Sequence, residues 1–267
     1  MRVGIIGFGT IGKAVADGLA QGHGGDHQLT SFLVRDLDRA RVAGADSYPC
    51  QFTTNIETVL DGGTEVVVEA AGQPAVAQYG PAVLERRRTL IIASIGALSD
   101  DALFDRLQAL ARSHGGRILL PSGAIGGLDA VAAAAIGGLD EVSITSRKPA
   151  AAFASGPDAD PKLAAATEPV CLYDGMAREA VRLFPANVNV AAALSLAGVG
   201  LDHTRIRIFC DPSVTRNTHE ITARGYFGDL KLTIAGIPTA NPRTGRLTAL
   251  SILRTLRNLT QTVLVGV

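Results

Sequence analysis

The sequence predicts an α/β protein in which a doubly wound parallel sheet is followed by a second α+β domain. Three observations support this fold class. Short β-branched runs alternate with helical patterns through the first 120 residues, as in parallel strands joined by crossover helices. A glycine-rich loop follows the first of these runs, and the alternation stops after Pro121. The 267 residues are enough for two modest domains.

The predicted first domain, residues 1–120, contains five short strand candidates separated by helical segments. The strands are Arg2–Ile6, Gln28–Val34, Glu65–Glu69, Thr89–Ala93 and Arg117–Leu120. Apolar residues recur at helical spacing at Ile11, Val15 and Leu19, and again at Leu103 and Leu107. We therefore expect the crossovers between the strands to be helices.

The predicted second domain, residues 121–240, mixes helices and strands. A strand at Glu141–Lys148 precedes a stretch rich in Pro, Gly and Ala at Pro149–Pro161, which we expect to be a mobile loop. Helices are predicted at Met176–Leu183 and Asn187–Leu196. Three strands then follow and are expected to form a meander: Thr204–Cys210, Thr215–Arg224 and Leu230–Ala235.

The final segment, residues 241–267, contains a predicted helix at Thr244–Leu259. Leucines at a spacing of three form its apolar face: Leu247, Leu250, Leu253 and Leu256. We expect this helix to pack back on the first domain.

Composition narrows the classes of partner. Lys+Arg and Asp+Glu balance at 25 each, so that no polyanion-binding surface is indicated and nucleic acid is not an expected partner. The apolar N-terminal run is too short for a signal peptide, and apolar stretches are too short for a membrane span. The three cysteines form no C-x-x-C pair, and the loop Gly22–His27 lacks further metal ligands. We therefore expect a cytoplasmic protein without a membrane partner or a metal.

The glycine-rich loop has the spacing of a dinucleotide-binding turn. Gly7, Gly9 and Gly12, with Thr10 and Ile11 between them, follow an apolar strand and open an amphipathic helix. The first glycine permits the tight turn, the second lets the backbone approach the pyrophosphate, and the third allows close helix–strand packing. The sheet is therefore predicted to be of the Rossmann type, with NAD or NADP as cofactor.

Three further strand ends are candidates for contacts with the cofactor. Arg35 and Asp36 follow the second strand, where an acid binds the ribose hydroxyls of NAD and an arginine accepts the 2′-phosphate of NADP. The sequence does not choose between them. Ala71 and Gly72 follow the third predicted strand and Ser94 follows the fourth, at the edge where open parallel sheets bind ligands.

His219 stands apart from the other four histidines. Along Thr215–Arg224 the even positions are all polar, whereas Asn217, His219 and Ile221 alternate on the other face. Period two therefore puts His219 and Asn217 on the inward face. An inward imidazole is suited to proton transfer near neutrality, although the same pattern also fits a hydrogen-bonded core histidine.

Three other polar side chains are candidates for binding a ligand. Lys148 ends the apolar face of Glu141–Lys148, where its cation could hold a carboxylate or extend along the surface to solvent. Asn187 and Asn189 begin a helix that is otherwise apolar all round, so that both are expected to be buried and to need partners. One of them would cap the helix and the other could bind a ligand amide.

With these residues collected, the chain resembles the L-aspartate dehydrogenase family over essentially its whole length. The resemblance lies in the Gly7–Gly12 loop and in five further segments: Ile92–Leu98, Leu120–Asp129, Ser146–Pro149, Phe184–Leu194 and Arg216–Ile221. Many dehydrogenases share the first segment, whereas the last four together are specific.

The resemblance implies a reaction and roles for named residues. L-aspartate and NAD(P)⁺ would give iminoaspartate, which hydrolyses to oxaloacetate and ammonia or enters NAD biosynthesis. Ala124 and Asn189 would contact the nicotinamide half of the cofactor, and His219 would be the catalytic residue. Homodimers would form through the sheet of the second domain. Independently of the resemblance, we expect Lys148 and backbone donors of the Ser122–Ala124 turn to hold the substrate carboxylates, with Asn187 and Asn217 as further substrate contacts.

Two alternatives remain open from the sequence. One is a homoserine-dehydrogenase-like reductase on the same architecture. The other is a regulatory protein that binds NAD(H) without catalysis, although convergent proton-transfer groups argue against it.

Overall fold

Contacts divide the computed structural model into two compact units. It describes residues 1–154, 159–184, 188–239 and 245–266. The first unit comprises Met1–Pro121 together with Thr248–Val265, and the second comprises Ser122–Leu247. Asn187, one of the predicted substrate residues, lies outside the described residues.

The first unit is built on a six-stranded parallel sheet, which confirms the predicted doubly wound fold. The strands are β1 (Arg2–Ile6), β2 (Gln28–Leu33), β3 (Gln51–Thr53), β4 (Val66–Glu69), β5 (Thr89–Ile92) and β6 (Arg117–Leu119). Their order is β3-β2-β1-β4-β5-β6, so that the direction of winding reverses between β1 and β4. Strand β3 was not predicted, because three residues at a sheet edge are too few to show a period of two.

Helices connect these strands as expected. They are α1 (Thr10–Ala20), α2 (Leu37–Val42), α3 (Ile56–Asp61), α4 (Gln73–Glu85) and α5 (Asp101–His114). Strands β1 and β4 are almost fully apolar because the parallel sheet is buried on both faces. All six strands are parallel, so that their carboxyl ends lie at one edge of the sheet.

In its described residues, the second unit contains a five-stranded mixed sheet and four helices. The strands are β7 (Leu139–Lys148), β8 (Val170–Met176), β9 (Thr204–Cys210), β10 (Thr218–Gly225) and β11 (Gly228–Ala235). The helices are α6 (Leu128–Gly137), α7 (Pro161–Ala164), α8 (Ala177–Leu183) and α9 (Val188–Ala197). An added Cβ at Gly198 would lie 3.3 Å from both Val131 and Val142, which places α6 and α9 against the same face of β7.

The strand order β11-β10-β7-β9-β8 shows that the predicted meander is wrong. Strand β7 pairs with β10 in the antiparallel direction and with β9 in the parallel direction, and so separates β9 from β10. Its central position also buries Ser143 and Thr145, two polar residues that alternate along the strand with the apolar Val142 and Ile144. Strand β8 was not predicted, and Thr215–Asn217 precede β10 rather than belonging to it.

The stretch Pro149–Pro161 is only partly a loop. A 3₁₀ turn forms at Ala150–Phe153, and Phe153 is buried. The prediction of a loop missed this turn because alanines and one aromatic residue give no periodic signal over four positions.

The last helix, α10 (Arg246–Asn258), packs in the core of the first unit. Its buried apolar residues are Ala249, Ile252, Leu253 and Leu256, which share a hydrophobic cluster with Val15 and Leu19 of α1. The predicted face was partly wrong, because Leu247 and Leu250 are 36% and 53% exposed. Each step of three residues rotates about 60° away from the starting face of a 3.6-residue helix, so a run of such steps leaves the buried stripe.

The packing of α10 gives a stability prediction. Leu253→Ala should lower the free energy of unfolding of the first unit by about 2–5 kcal/mol, because it removes a side chain that lies directly against Gly18. Leu250→Ala on the same helix is the matched control and should change it by less than about 0.5 kcal/mol. Urea unfolding of both variants checks this, and equal losses would contradict the described packing.

Candidate active site

The Gly7–Gly12 loop connects β1 to α1 and has a backbone that tolerates only glycine at two positions. Gly7 has a φ of +101°, and an added Cβ there would lie 2.8 Å from the Ala70 carbonyl oxygen. An added Cβ at Gly12 would lie 2.1 Å from the Gly7 carbonyl oxygen. These two glycines therefore allow the loop to fold back on itself and on the segment after β4.

Gly9 lies at the position of the same loop where the space next to the backbone is open. It is the N-cap residue of α1 and makes no side-chain cap, so the first turn of α1, which starts at Thr10 and Ile11, keeps its N–H groups for other acceptors. An added Cβ at Gly9 would meet nothing within 4 Å. Space and donors together fit a pyrophosphate at a helix N-terminus.

An aromatic cluster that the sequence did not predict holds this loop. The Phe8 ring makes edge contacts with Phe32, Tyr48 and Phe52, at centroid distances of 4.9, 5.3 and 4.9 Å. The Lys13 ammonium lies 4.5 Å from the Phe8 centroid. Phe8 thus attaches the loop to β2 and β3. It occupies a variable position between two glycines of the motif, so the motif itself does not predict this contact.

Arg35 and Asp36 are both exposed beyond the end of β2. The Asp36 carboxylate caps α2, since its Oδ1 accepts the Arg39 N–H at 3.0 Å. One oxygen of the predicted ribose-binding acid is therefore already engaged, and Arg35 next to it is a cation. Both candidates for contacts with the adenosine ribose or its 2′-phosphate therefore lie just after the end of β2.

The segments after β4 and β5 are joined by one buried carboxylate, that of Glu69. Glu69 accepts hydrogen bonds from the backbone of Ala71 and Gly72 and from both the backbone and the hydroxyl of Ser94. The three residues predicted from the sequence are thus brought together. Glu69 itself was not predicted as a site residue, although a glutamate at the end of an apolar strand was the available signal.

In the second unit, strand pairing fixes the position of His219. It lies in β10 opposite Ser146 of β7 on one side and Ile234 of β11 on the other. Its Nδ1 is 2.9 Å from the Ser146 hydroxyl oxygen, and Ser146 is buried. In the tautomer whose Nδ1–H donates to the Ser146 hydroxyl oxygen, Nε2 carries the free lone pair and can accept a proton.

Burial, which is the larger cause, and the nearby positive charge of Lys148 together lower the pKa of His219 from 6.5 to about 4. The imidazole is therefore neutral at pH 7 and can accept a proton. A charged lysine next to a neutral histidine is a suitable arrangement for binding an anion and acting as a base on the same molecule.

Lys148 ends β7 and is half-buried. Its carbonyl accepts the Asp211 N–H at 2.8 Å, and Asp211 in turn binds Arg147 at 2.8 Å and Ser213. The β7–β10 register, continued by one residue, places Asn217 opposite Lys148. His219, Lys148 and Asn217 are therefore neighbours at one end of the sheet.

The Ser122–Ala124 turn begins a loop that packs on the same sheet. An added Cβ at Gly126 would lie 3.4 Å from Ile234, and one at Gly127 would lie 3.1 Å from Leu232. Ile234 and Leu232 pair with His219 and Ile221, so this loop covers the face of the sheet that holds the histidine. Ser122 and Ala124 are both half-buried.

The exposure of Asn189 differs from the prediction that this side chain is buried. The residues Val190–Ser195 of α9 are buried as predicted, but Asn189 in the first turn of this helix is exposed. An apolar run predicts burial of a helix as a whole and does not extend to its first turn. Asn189 is therefore not a core amide.

Within the described residues, no helix is both long and apolar enough to cross a bilayer. Nor do three or more His, Cys, Asp or Glu side chains in that part of the chain form a group able to hold a metal ion.

Two protein families match two different parts of the chain. Residues 129–259 match the family described as aspartate dehydrogenase, C-terminal. Residues 7–121 match the family described as homoserine dehydrogenase, NAD binding domain.

Two curated relatives and one solved structure cover nearly the whole chain. An L-aspartate dehydrogenase of Methanocella arvoryzae is 40% identical and covers 99% of each chain, and one of Ralstonia pickettii is 40% identical and covers 97% of each. The crystal structure of aspartate dehydrogenase from Thermotoga maritima has a TM-score of 0.79 at 28% identity, covering 100% of this chain and 99% of that one.

The environment of His219 gives a titration that NMR can measure. The imidazole should titrate at about pH 4, well below its ordinary pKa of 6.5. Lys148→Gln should raise the midpoint, because it removes a positive charge, but leave it below 6.5 because burial is the larger cause. The matched control is Lys231→Gln, which removes an ammonium that lies 3.1 Å from the Glu220 carboxylate. It should leave the midpoint of the His219 titration unchanged. A wild-type midpoint near 6.5 would contradict the described burial.

Proposed function

The chain belongs to the L-aspartate dehydrogenase family, and on that premise we propose that it oxidises L-aspartate to iminoaspartate with NAD(P)⁺. The observation that supports this most directly is the pair formed by His219 and Lys148. A neutral, hydrogen-bonded imidazole lies beside a cation on the unit that matches the aspartate dehydrogenase family. A substrate with carboxylates and an amine suits both groups.

The first unit would bind the cofactor, which when bound accepts the hydride from Cα of the substrate. The N–H groups of the first turn of α1 would bind the pyrophosphate next to Gly9. Arg35 and Asp36 would meet the adenosine ribose or its 2′-phosphate, and Ala71, Gly72 and Ser94 would line the opposite half. The resemblance adds Ala124 and Asn189 as contacts of the nicotinamide.

The second unit would bind the substrate against the inner face of its sheet. Lys148 and the backbone donors of the Ser122–Ala124 turn would hold the two carboxylates, with Asn217 as a further donor. Two charged ends held at fixed points orient the Cα–H bond, which is where positioning contributes most to the rate. Asn187, the remaining candidate, is proposed from the sequence alone.

His219 would act as the general base. The substrate amine must lose a proton before its lone pair can form the C=N bond as hydride leaves Cα, and Nε2 of a neutral imidazole can accept that proton. Alternatively, the neutral Nε2 would accept a proton from the water that attacks the imine, which yields oxaloacetate and ammonia. Ser146 would keep the ring oriented through Nδ1.

The rival hypotheses receive less support. The homoserine dehydrogenase family matches only residues 7–121, which form the cofactor-binding part. A homoserine dehydrogenase of a hyperthermophilic archaeon, at 14% identity and a TM-score of 0.59, shares the fold alone. A non-catalytic regulatory protein would have no use for a buried base beside a cation.

We also propose a homodimer that forms through the outer face of the second sheet. This face holds alternating polar side chains of β9 and β10, among them the exposed Arg205 and Arg207 and the half-buried Thr222. Light scattering on the purified protein would return the 27.6 kDa monomer mass if this proposal is wrong.

An assay of NAD(P)H formation tests the proposed function. L-aspartate should support formation of NADH or NADPH, whereas D-aspartate, homoserine and a blank without amino acid should not. Each amino acid is tested with NAD⁺ and with NADP⁺, which also establishes the cofactor preference. Activity with homoserine alone would overturn the proposal in favour of the rival reductase, and NADH binding without turnover of any substrate would favour the regulatory protein.

The same assay tests the role of His219. His219→Ala should lower turnover of L-aspartate by about 10²–10⁴-fold, because general base catalysis is lost, while NADH binding stays nearly unchanged. His203→Ala, an exposed histidine in the same unit, is the control and should retain full turnover. Unchanged turnover in His219→Ala would remove this residue from the mechanism.

A further inference from the structure

Glu69 is a fully buried carboxylate that the proposed chemistry does not use. It is the last residue of β4 and pairs with Ile6 at the end of β1 and with Ile92 at the end of β5. Its exposed fraction is 0%. Burying a carboxylate without partners costs several kcal/mol, so such a residue needs a compensating set of donors.

All the donors to Glu69 come from the segments that follow β4 and β5. Oε1 accepts the backbone N–H groups of Ala71 at 2.7 Å and Gly72 at 2.8 Å, and the Ser94 hydroxyl at 3.0 Å. Oε2 accepts the Ser94 N–H at 3.0 Å. Burial raises the pKa of Glu69, while these hydrogen bonds act in the opposite direction. One side chain therefore joins two segments that are 22 residues apart, from Gly72 to Ser94, in sequence.

The two segments lie on one side of the point where the winding of the sheet reverses. In a doubly wound sheet each half binds one mononucleotide, and the dinucleotide crosses the crevice at the reversal. Here β1, β2 and β3 form the half with the glycine loop and Arg35, whereas β4, β5 and β6 form the other. The segments that bind Glu69 belong to the second half, and Ala71 touches the first at Gly7.

We propose that Glu69 is a positioning residue for the nicotinamide half of the dinucleotide site. Its carboxylate fixes the backbone of Ala71 and Gly72 relative to Ser94, so that both segments meet the nicotinamide nucleotide in one arrangement. The adenosine half, held by the glycine loop and the end of β2, does not depend on it. This proposal rests on the proposed cofactor site of the first unit.

The chemistry of the side chain makes Glu69→Gln an informative variant. A carboxylate accepts at both oxygens, but an amide has one accepting oxygen and one NH₂ donor. If the oxygen keeps Ala71 and Gly72, the NH₂ group meets the Ser94 N–H, which is also a donor. The variant therefore keeps the size of the side chain but loses the bond to the Ser94 backbone, so that only the Ser94 hydroxyl still joins the two segments.

Calorimetric titration with NADH and with ADP, which lacks both the nicotinamide and its ribose, tests the proposal. In Glu69→Gln the Kd for NADH should rise about tenfold, because contacts with the nicotinamide nucleotide are no longer prearranged. The Kd for ADP should stay within about twofold of the wild-type value, since the adenosine half is unchanged. A purely structural role would weaken both ligands equally.

Glu65→Gln is the matched control. Glu65 precedes β4 at the opposite edge of the same sheet and also accepts a backbone N–H, that of Arg2 at 2.8 Å. The Glu65→Gln variant should bind both ligands with the wild-type affinities. Glu69→Asp serves as a second variant that keeps the charge but is too short to reach both segments, and it should show the same selective loss of NADH affinity.

The outcomes separate the two proposals. If the wild-type protein binds neither ligand, the proposed cofactor site is wrong and the role of Glu69 falls with it. If the wild-type protein binds both and the Glu69 variants bind NADH normally, or lose both ligands to the same extent, only the role of Glu69 is overturned. If Glu69→Gln does not fold, the comparison of the two ligands in Glu69→Asp decides.

Discussion

The antiparallel pairing of β7 with β10 is the interaction on which the candidate active site depends. It places Ser146 opposite His219, and the continued register brings Lys148 to the same end of the sheet. A slip of one residue would turn the imidazole to the other face, because side chains alternate along a strand. Eight paired positions between the two strands make such a slip costly, so that the site inherits its geometry from backbone hydrogen bonds.

Both candidate sites use buried polar side chains that are matched to specific donors or acceptors. In the first unit, the carboxylate of Glu69 is compensated by four hydrogen bonds within the loops of the sheet edge. In the second, burial keeps the imidazole of His219 neutral, and one hydrogen bond to Ser146 orients it. In the low-dielectric interior, a buried polar group without a hydrogen-bond partner costs free energy, whereas a hydrogen-bonded group is held in a fixed position. Each unit therefore uses burial to hold one functional group in a single arrangement.

Local patterns in the sequence predicted the elements in which neighbouring residues decide the structure. The glycine spacing, five of the six strands of the first sheet, and strand β9 depend on turn chemistry, apolar runs and a period of two, and the structure agrees with these predictions. The predictions that depended on long-range pairing were weaker. The meander was wrong because β7, far away in sequence, inserts between β9 and β10. The exposed Leu250 and Asn189 show the same limit, since an apolar pattern does not specify how far burial extends along a helix.

The sequence by itself determined that this chain has a dinucleotide-binding turn, a second domain with an inward histidine, and a resemblance to one family of dehydrogenases. Those properties follow from residues that lie within a few positions of each other. Only the tertiary structure decided the partners of the buried groups: Ser146 lies 73 residues from His219, and Ser94 lies 25 residues from Glu69. Hydrogen bonds across such separations form only when strand pairing brings the residues together, and no local period reports which strands will pair.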